Sequence, residues 1–192
     1  GRTTLAGEGL QHQDGQSHLL AYPVPNILSY DPAFAYELAV IIEDGIRRMY
    51  VEGESVFYYL TVENESYAMP PLPDGARDGI LKGLYKLSAS SAPRAHQAKL
   101  LGSGAILREA LAAQRLLERY DVAADVWSVT SWSQLYRDGH ACDRWNMLHP
   151  LEPARVPYVA QCLGAAPGAV VAASDYLKAL PDSLSQWIET PL

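Results

Sequence analysis

Hydrophobic residues recur every three or four positions between residues 32 and 49, the first long amphipathic segment of the chain. The apolar positions with this helical spacing are Phe34, Leu38, Ile41, Ile42, Ile46 and Met49. Asp31 and Pro32, which precede them, are residue types preferred at the N-cap and the first helical position. The pattern predicts an amphipathic helix with Asp31 as its N-cap.

Short apolar runs alternate with helical segments along the whole chain. Residues 26–30 and 55–62 predict strands, and the second is rich enough in β-branched and aromatic residues to suggest burial on both faces, as in parallel sheets. Residues 75–88 predict a helix that Gly79 and Gly83 weaken. The elements expected after it are a strand and glycine turn over 98–104, helix 105–121, strand 122–132, helix 133–148, a short helix or turn over 157–164, strand 169–175 and helix 176–189, interrupted at Pro181. This alternation predicts two α/β units with mostly parallel sheets.

The sequence SASSAPRAHQ, residues 88–97, is rich in Ser, Ala and Pro and has few side chains to bury. Such composition is typical of a linker. We therefore expect one unit over residues 1–87, a linker over 88–97 and a second unit over 98–192.

Composition and charge exclude several classes of function. The 192 residues are 48% hydrophobic and carry a net charge of −7, with no basic stripe along a predicted helix, so nucleic-acid binding is not expected. No apolar run reaches the roughly 18 residues of a membrane span, and the first residues do not resemble a signal peptide. Two cysteines are too few for a disulfide scaffold, which favours reduced thiols and a cytoplasmic location.

The stretch GEGLQHQDGQSH, residues 7–18, concentrates titratable groups in a predicted loop. Glu8 and His12 are four residues apart, as are Asp14 and His18. A carboxylate beside an imidazole raises the pKa of the imidazole and fixes its orientation. The residues alone leave open whether this loop is an active-site wall or a solvated surface. The spacing of His12, Asp14 and His18 fits no compact metal-ligand pattern.

Three further segments carry weaker signals. Tyr67, in NESYAMP, follows a predicted parallel strand, where open α/β sheets bind ligands. The LGSG turn, residues 101–104, resembles a phosphate-binding turn but lacks the third glycine of that motif. Cys142 and His149 have the residue types of a nucleophile and its base, with no other support. The scattered His and Cys residues do not have zinc-site spacing: His140, Cys142, His149 and Cys162.

Five long segments together resemble one enzyme family in the same order and over essentially the whole chain. They are GRTTLAGEGLQHQDGQSH, ILSYDPAFAYELAVIIEDGIRRMY, VFYYLTVENESYAMP, LLGSGAILREA and CDRWNMLHPLE. The family is the homodimeric bacterial-type pyruvate dehydrogenases, the thiamine-diphosphate-dependent decarboxylating components of the pyruvate dehydrogenase complex. The resemblance implies the latter half of a pyrimidine-side middle domain, followed by a truncated transketolase C-terminal-like domain.

The resemblance also implies roles for single residues. It matches Glu8 and His12 to catalytic positions that face the substrate, and Asp14 and His18 to a substrate-binding loop. Gln16 stands where the family has another histidine, which argues against a strict histidine triad. We add Tyr67 as a substrate-binding candidate from its place after a predicted strand.

Cofactors and partners follow from the same resemblance. It implies thiamine diphosphate and Mg²⁺ for the parent enzyme, pyruvate as substrate, a homodimer, and transfer of acetyl groups to the lipoyl domain of a dihydrolipoyl acetyltransferase. The diphosphate motif that begins G-D-G is absent from these residues. We therefore expect a fragment that is inactive alone. The alternatives are a non-catalytic dimerisation or assembly module and a transketolase-type enzyme.

Overall fold

The computed structural model describes residues 7–164 and 167–189, and the strands in these ranges form two sheets. A parallel two-stranded sheet consists of β1 (Ile27–Tyr30) and β2 (Phe57–Leu60). A four-stranded sheet has the order β3-β5-β4-β6, with β3 (Leu84–Ser88), β4 (His96–Gly102), β5 (Val122–Val129) and β6 (Ala169–Ala173). All strand pairs are parallel except β3 with β5. The prediction of an α/β fold with mostly parallel sheets is confirmed.

Helices cover both sheets and connect most of the strands. They are α1 (Ser17–Leu20), α2 (Ala35–Ile46), α3 (Arg77–Lys82), α4 (Ile106–Leu117), α5 (Trp132–Leu148), α6 (Tyr158–Leu163) and α7 (Ala179–Asp182). The π-helical segment Arg47–Val51 extends α2, and the segment predicted as a last helix consists of α7 and the 3₁₀ turn Ser185–Trp187. Within the described residues, no helix is both long and apolar enough to cross a membrane.

The start of α2 differs from the prediction. Phe34, not Asp31, is the N-cap residue, and the Glu37 carboxylate accepts the backbone N–H groups of Ala33 and Phe34 at 2.6 and 3.0 Å. The carboxylate of Asp31 instead accepts the hydroxyl of Thr61 at 2.6 Å.

The helix predicted over residues 75–88 ends early, so the second half of that prediction is wrong. Gly83 terminates α3 in the left-handed region, with φ of 101°. A Cβ there would lie 2.5 Å from the carbonyl oxygen of Ser131, which excludes other residues. The chain then turns into β3.

The pairing of β3 with β5 assigns Leu84–Ser88 to the second sheet, ahead of the predicted boundary at residue 87. Residues 89–95 connect two strands of that sheet, and Ser90 N–H donates to Asp125 at 2.9 Å. The division into 1–87, 88–97 and 98–192 stays a prediction.

The strand β2 is less buried than predicted. Phe57 is 46% exposed and the other three residues are half-buried. Burial on both faces was therefore a wrong prediction; among the described residues β2 is hydrogen-bonded to β1 alone and forms a sheet edge.

Buried polar contacts join helices to the two sheets. The carboxylate of Glu37, on α2, accepts the hydroxyls of Tyr85 and Ser128, both at 2.6 Å. The hydroxyls of Ser29 and Ser133 are 2.7 Å apart. Burial raises the pKa of the Glu37 carboxyl above its ordinary value, against the opposing effect of its hydrogen-bond donors.

Candidate functional site

The carboxyl ends of strands from both sheets meet at one edge of the molecule. The residues directly after these strands are Asp31 (β1), Thr61 (β2), Ser103 (β4), Thr130 (β5) and Ser174 (β6). The backbone N–H of Asp31 donates to the carbonyl of Thr130 at 2.8 Å, and the backbone carbonyl of Asp31 accepts the N–H of Gly104 at 3.1 Å. Open α/β sheets bind their ligands at such an edge. We therefore call these five residues and His18 the carboxyl-edge site.

His18 is the buried histidine of this site. Only 2% of its surface is exposed, and its Nε2 lies 3.0 Å from the hydroxyl of Thr61. The rings of Tyr59 and Tyr176 meet the imidazole edge-on, with centroids at 5.4 and 4.8 Å. These contacts restrict the ring to one orientation, as a residue that positions or transfers a proton requires.

Asp14 forms the turn that places His18. Its carboxylate accepts the N–H groups of Gln16 and Ser17 at 3.1 and 3.0 Å, and the Ser17 hydroxyl at 2.5 Å. The next carbonyl, of Gly15, accepts the N–H of Leu177 at 3.0 Å. The structure thus brings Asp14 and His18 into one turn. The two residues are four positions apart because the Asp14 carboxylate holds the backbone of the turn that leads to His18.

Glu8 and His12 lie on the surface next to this turn. His12 ends the 3₁₀ turn Leu10–His12, which starts after Gly9 in the left-handed region, with φ of 91°. Both side chains are exposed, in contrast to His18. They are therefore accessible to a ligand or to another part of the protein, and their catalytic roles stay predictions.

Tyr67 lies on the loop after β2, where it contacts α2 and α4. Its hydroxyl donates to the carbonyl of Ala33, and its ring meets that of Phe34 edge-on at 6.4 Å. The guanidinium of Arg108 lies 4.1 Å from the ring centroid, and Arg108 is paired with Glu65 at 2.6 Å. Burial raises the pKa of Tyr67. These contacts hold the loop in place; a substrate-binding role for Tyr67 stays a prediction.

The LGSG turn does not form a phosphate cradle. Gly104 lies against the carboxylate of Asp31, so closely that a Cβ would be 2.8 Å from the nearer oxygen. A negative charge there repels phosphate groups. The described residues also contain no cluster of three or more His, Cys, Asp or Glu side chains that could hold a metal ion. They therefore do not fit the diphosphate and Mg²⁺ of thiamine diphosphate.

Cys142 and His149, whose residue types alone suggested a nucleophile and its base, gain no support from the geometry. Burial raises the pKa of the Cys142 thiol, which disfavours the nucleophilic thiolate. His149 stacks on Trp145 with ring centroids 3.6 Å apart, and its Nδ1 lies 2.9 Å from the Trp145 carbonyl oxygen. Both residues thus belong to the packing of α5.

The sequence reasoning missed Asp31, Thr61 and Tyr176 as parts of the site. Asp31 and Thr61 directly follow predicted strands or lie at their ends, which is a usable signal in a parallel sheet. Tyr176 lies two residues beyond the last strand-end position, and nothing local distinguishes it from the other tyrosines.

Comparison with known proteins gives matches along nearly the whole chain. Residues 1–70 match the profile of the pyruvate dehydrogenase E1 component middle domain, and residues 83–189 match the transketolase-like TK C-terminal domain. The chain is 52% identical over 189 residues to the pyruvate dehydrogenase E1 component of Pseudomonas aeruginosa. It is 52% identical over 190 residues to that of Escherichia coli K12, and 50% over 191 residues to that of Mycobacterium tuberculosis. Each match covers 98% of this chain but only 20–21% of the relative, so the chain spans about a fifth of their length.

Solved structures show the same fold at low sequence identity. A transketolase variant of Pichia stipitis superposes with a TM-score of 0.58 at 16% identity. The match covers 96% of this chain and 26% of the transketolase chain. The transketolase of Leishmania mexicana gives a TM-score of 0.55 at 15% identity, over 95% of this chain and 23% of that one. These similarities concern the fold alone.

Proposed function

The chain belongs to the pyruvate dehydrogenase E1 component family, and we propose that it forms part of an enzyme that decarboxylates pyruvate on thiamine diphosphate and transfers the acetyl group to lipoyl groups. The lipoyl groups are those of a dihydrolipoyl acetyltransferase, and the enzyme is a cytoplasmic homodimer with Mg²⁺. The support is similarity at about 50% identity over 98% of the chain, across both predicted units and in the same order.

The observation that carries this proposal is the burial of His18 at the edge where strands of both sheets end. An imidazole held by Thr61, Tyr59 and Tyr176 can accept a hydrogen bond from a substrate hydroxyl without reorganisation. In the proposed enzyme His18 binds the substrate, and Asp14 maintains the turn that carries it.

Besides substrate binding by His18, the proposed reaction needs proton transfer, and we assign this role to Glu8 and His12. Both are exposed on the same loop, upstream of the turn held by Asp14. In the proposed enzyme His12 exchanges a proton with the substrate, and Glu8 acts beside it on the same loop. Because the described residues do not fit a diphosphate or Mg²⁺, we assign this chain substrate-facing roles only.

The test is pyruvate turnover by the whole protein that carries this chain. We expect His12→Ala to lower kcat about a hundredfold, the usual contribution of a general acid or base. His96→Ala is the matched control, since His96 is exposed at the start of β4, a strand whose opposite end forms the site. Equal rates for the two variants would contradict the role of His12.

Substrate choice separates the alternatives. Turnover of a ketose phosphate in place of pyruvate would favour a transketolase-type enzyme. A dimer without turnover of either substrate, seen by sedimentation with both cofactors present, would favour an assembly module.

A further inference from the structure

The hydroxyl of Thr61 lies between a buried histidine and a buried carboxylate. Its oxygen is 3.0 Å from Nε2 of His18 and 2.6 Å from a carboxylate oxygen of Asp31. We propose that Asp31 and Thr61 are positioning residues that keep the neutral His18 ring in the tautomer with its proton on Nε2. The inference rests on the proposed function in one respect, that His18 serves the substrate.

The assignment follows from counting protons. A threonine hydroxyl has one proton to donate, and a carboxylate can only accept. The Thr61 hydroxyl is 2.6 Å from Asp31 and 3.3 Å from the carbonyl of Tyr30, so the proton points to the carboxylate. The contact with His18 must then use a lone pair of the hydroxyl. His18 is the donor in that contact, and Nε2 carries the proton.

Contacts of the backbone and of the side chain hold Asp31 in place. The backbone N–H donates to the carbonyl of Thr130 at 2.8 Å, and the backbone carbonyl accepts the N–H of Gly104 at 3.1 Å. One carboxylate oxygen accepts the Thr61 hydroxyl, and the carboxylate also lies against Gly104, two residues before the first residue of the 12-residue helix α4. The acceptor oxygen thus lies at the Thr61 hydroxyl.

The consequence for the site is a choice between the two ring nitrogens. With the proton held on Nε2, the lone pair of the neutral ring is on Nδ1. A flip of the ring would put Cε1 in the place of Nε2 and lose the contact with Thr61, so that hydrogen bond keeps Nε2 in position. Nδ1 is therefore the atom through which His18 accepts a proton or a hydrogen bond.

The tautomer can be measured without substrate, so the result does not depend on whether the proposed function is correct. In protein labelled with ¹⁵N at histidine, long-range ¹H–¹⁵N spectra at neutral ring charge distinguish the two forms, and His18→Gln identifies the signals. We expect Nε2–H as the single form, with a slowly exchanging proton. A protonated Nδ1 in the neutral ring would overturn the proposal.

Variants then test whether Asp31 and Thr61 act on His18 through one series of hydrogen bonds. Thr61→Val, which keeps the shape but lacks the hydroxyl, is expected to speed exchange of the Nε2 proton at least tenfold and to produce a mixture of tautomers. Asp31→Ala, which removes the acceptor oxygen, should shift the spectrum in the same direction, and the double variant should add little, because both act through one contact. Thr61→Ser should restore the wild-type signals.

Tyr59→Phe is the control, because it keeps the ring that contacts His18 and leaves the Thr61 hydroxyl in place. If Thr61→Val loses its fold, Asp31→Ala and Thr61→Ser still decide the matter. Unchanged exchange of the Nε2 proton in Asp31→Ala, or a mixture of tautomers in Thr61→Ser, would show that Asp31 and Thr61 do not fix the tautomer.

Discussion

The carboxylate of Asp14 accepts both the backbone N–H and the hydroxyl of Ser17, at 3.0 and 2.5 Å, at the start of the turn that carries His18. Removing an oxygen that accepts N–H groups at a helix start costs about 1 kcal/mol. We expect Asp14→Ala to lower the free energy of unfolding by about that amount, and Asp14→Asn, which keeps an acceptor oxygen, by less. Chemical denaturation measures both. Asp74→Ala, on an exposed loop, should stay within about 0.5 kcal/mol of the wild type.

Glu37 links α2 to the four-stranded sheet, and its removal should destabilise the packing between them. Its carboxylate accepts four hydrogen bonds in the interior, so Glu37→Ala leaves buried donors without an acceptor and opens a cavity. Losses of this kind cost about 3 kcal/mol. Glu43→Ala is the matched control: Glu43 is exposed on the same helix and pairs with Arg77 on the surface, where ion pairs contribute at most about 1 kcal/mol. Similar losses in the two variants would contradict a joining role for Glu37.

The Glu37 carboxyl should also make stability depend on pH. Burial raises its pKa in the folded protein above the ordinary value of 4.5, so between these two values the folded state binds more protons than the unfolded state. Its contribution therefore falls as pH rises from about 4.5 to the raised pKa, by up to about 1.4 kcal/mol per pH unit. Glu37→Gln should remove this decline, which denaturation at a series of pH values would detect. A pH profile identical to that of the wild type would contradict the raised pKa.

Gly83 should resist substitution more than other glycines with positive φ. In Gly83→Ala the new Cβ would have to fit 2.5 Å from the Ser131 carbonyl oxygen, in addition to the strain of a φ of 101°. We expect a loss of about 3 kcal/mol in the free energy of unfolding. Gly53→Ala separates the two effects, because Gly53 has a φ of 68° with nothing within 4 Å, and should lose only about 1 kcal/mol. Equal losses would show that the contact with Ser131 is unimportant.

The sequence predicted the elements that depend on local pattern. The helix α2 and the alternation of strands and helices were predicted correctly because periodicity is a property of neighbouring residues. The predicted apolar stripe of α2 was correct only in part, since Ile41 is buried but Ile42 and Ile46 are exposed. The turn from α3 into β3 was missed because it depends on the approach of Gly83 to Ser131, which is distant in sequence.

The residue types of the site could be predicted from the sequence, but the arrangement of those residues in space could not. The loop of His18 stood out by its titratable residues, whereas the burial of that histidine depends on Thr61, 43 residues away, and on Tyr176 near the end of the chain. Asp31 was expected to cap a helix because Asp before Pro is a common helix start. The competing hydrogen bond from Thr61 could not be read from the local sequence.

The chain alone should not bind thiamine diphosphate with Mg²⁺. Within residues 7–164 and 167–189 no acidic or histidine cluster can hold the metal, and the LGSG turn faces the carboxylate of Asp31 instead of offering a phosphate site. Isothermal titration of the 192-residue chain with both cofactors should therefore give no micromolar binding, and pyruvate should not be consumed. Asp31→Asn provides a second measurement, since removing the charge should not create binding if the rest of a diphosphate site is missing. Micromolar binding by the wild-type chain would mean that it holds a cofactor site of its own.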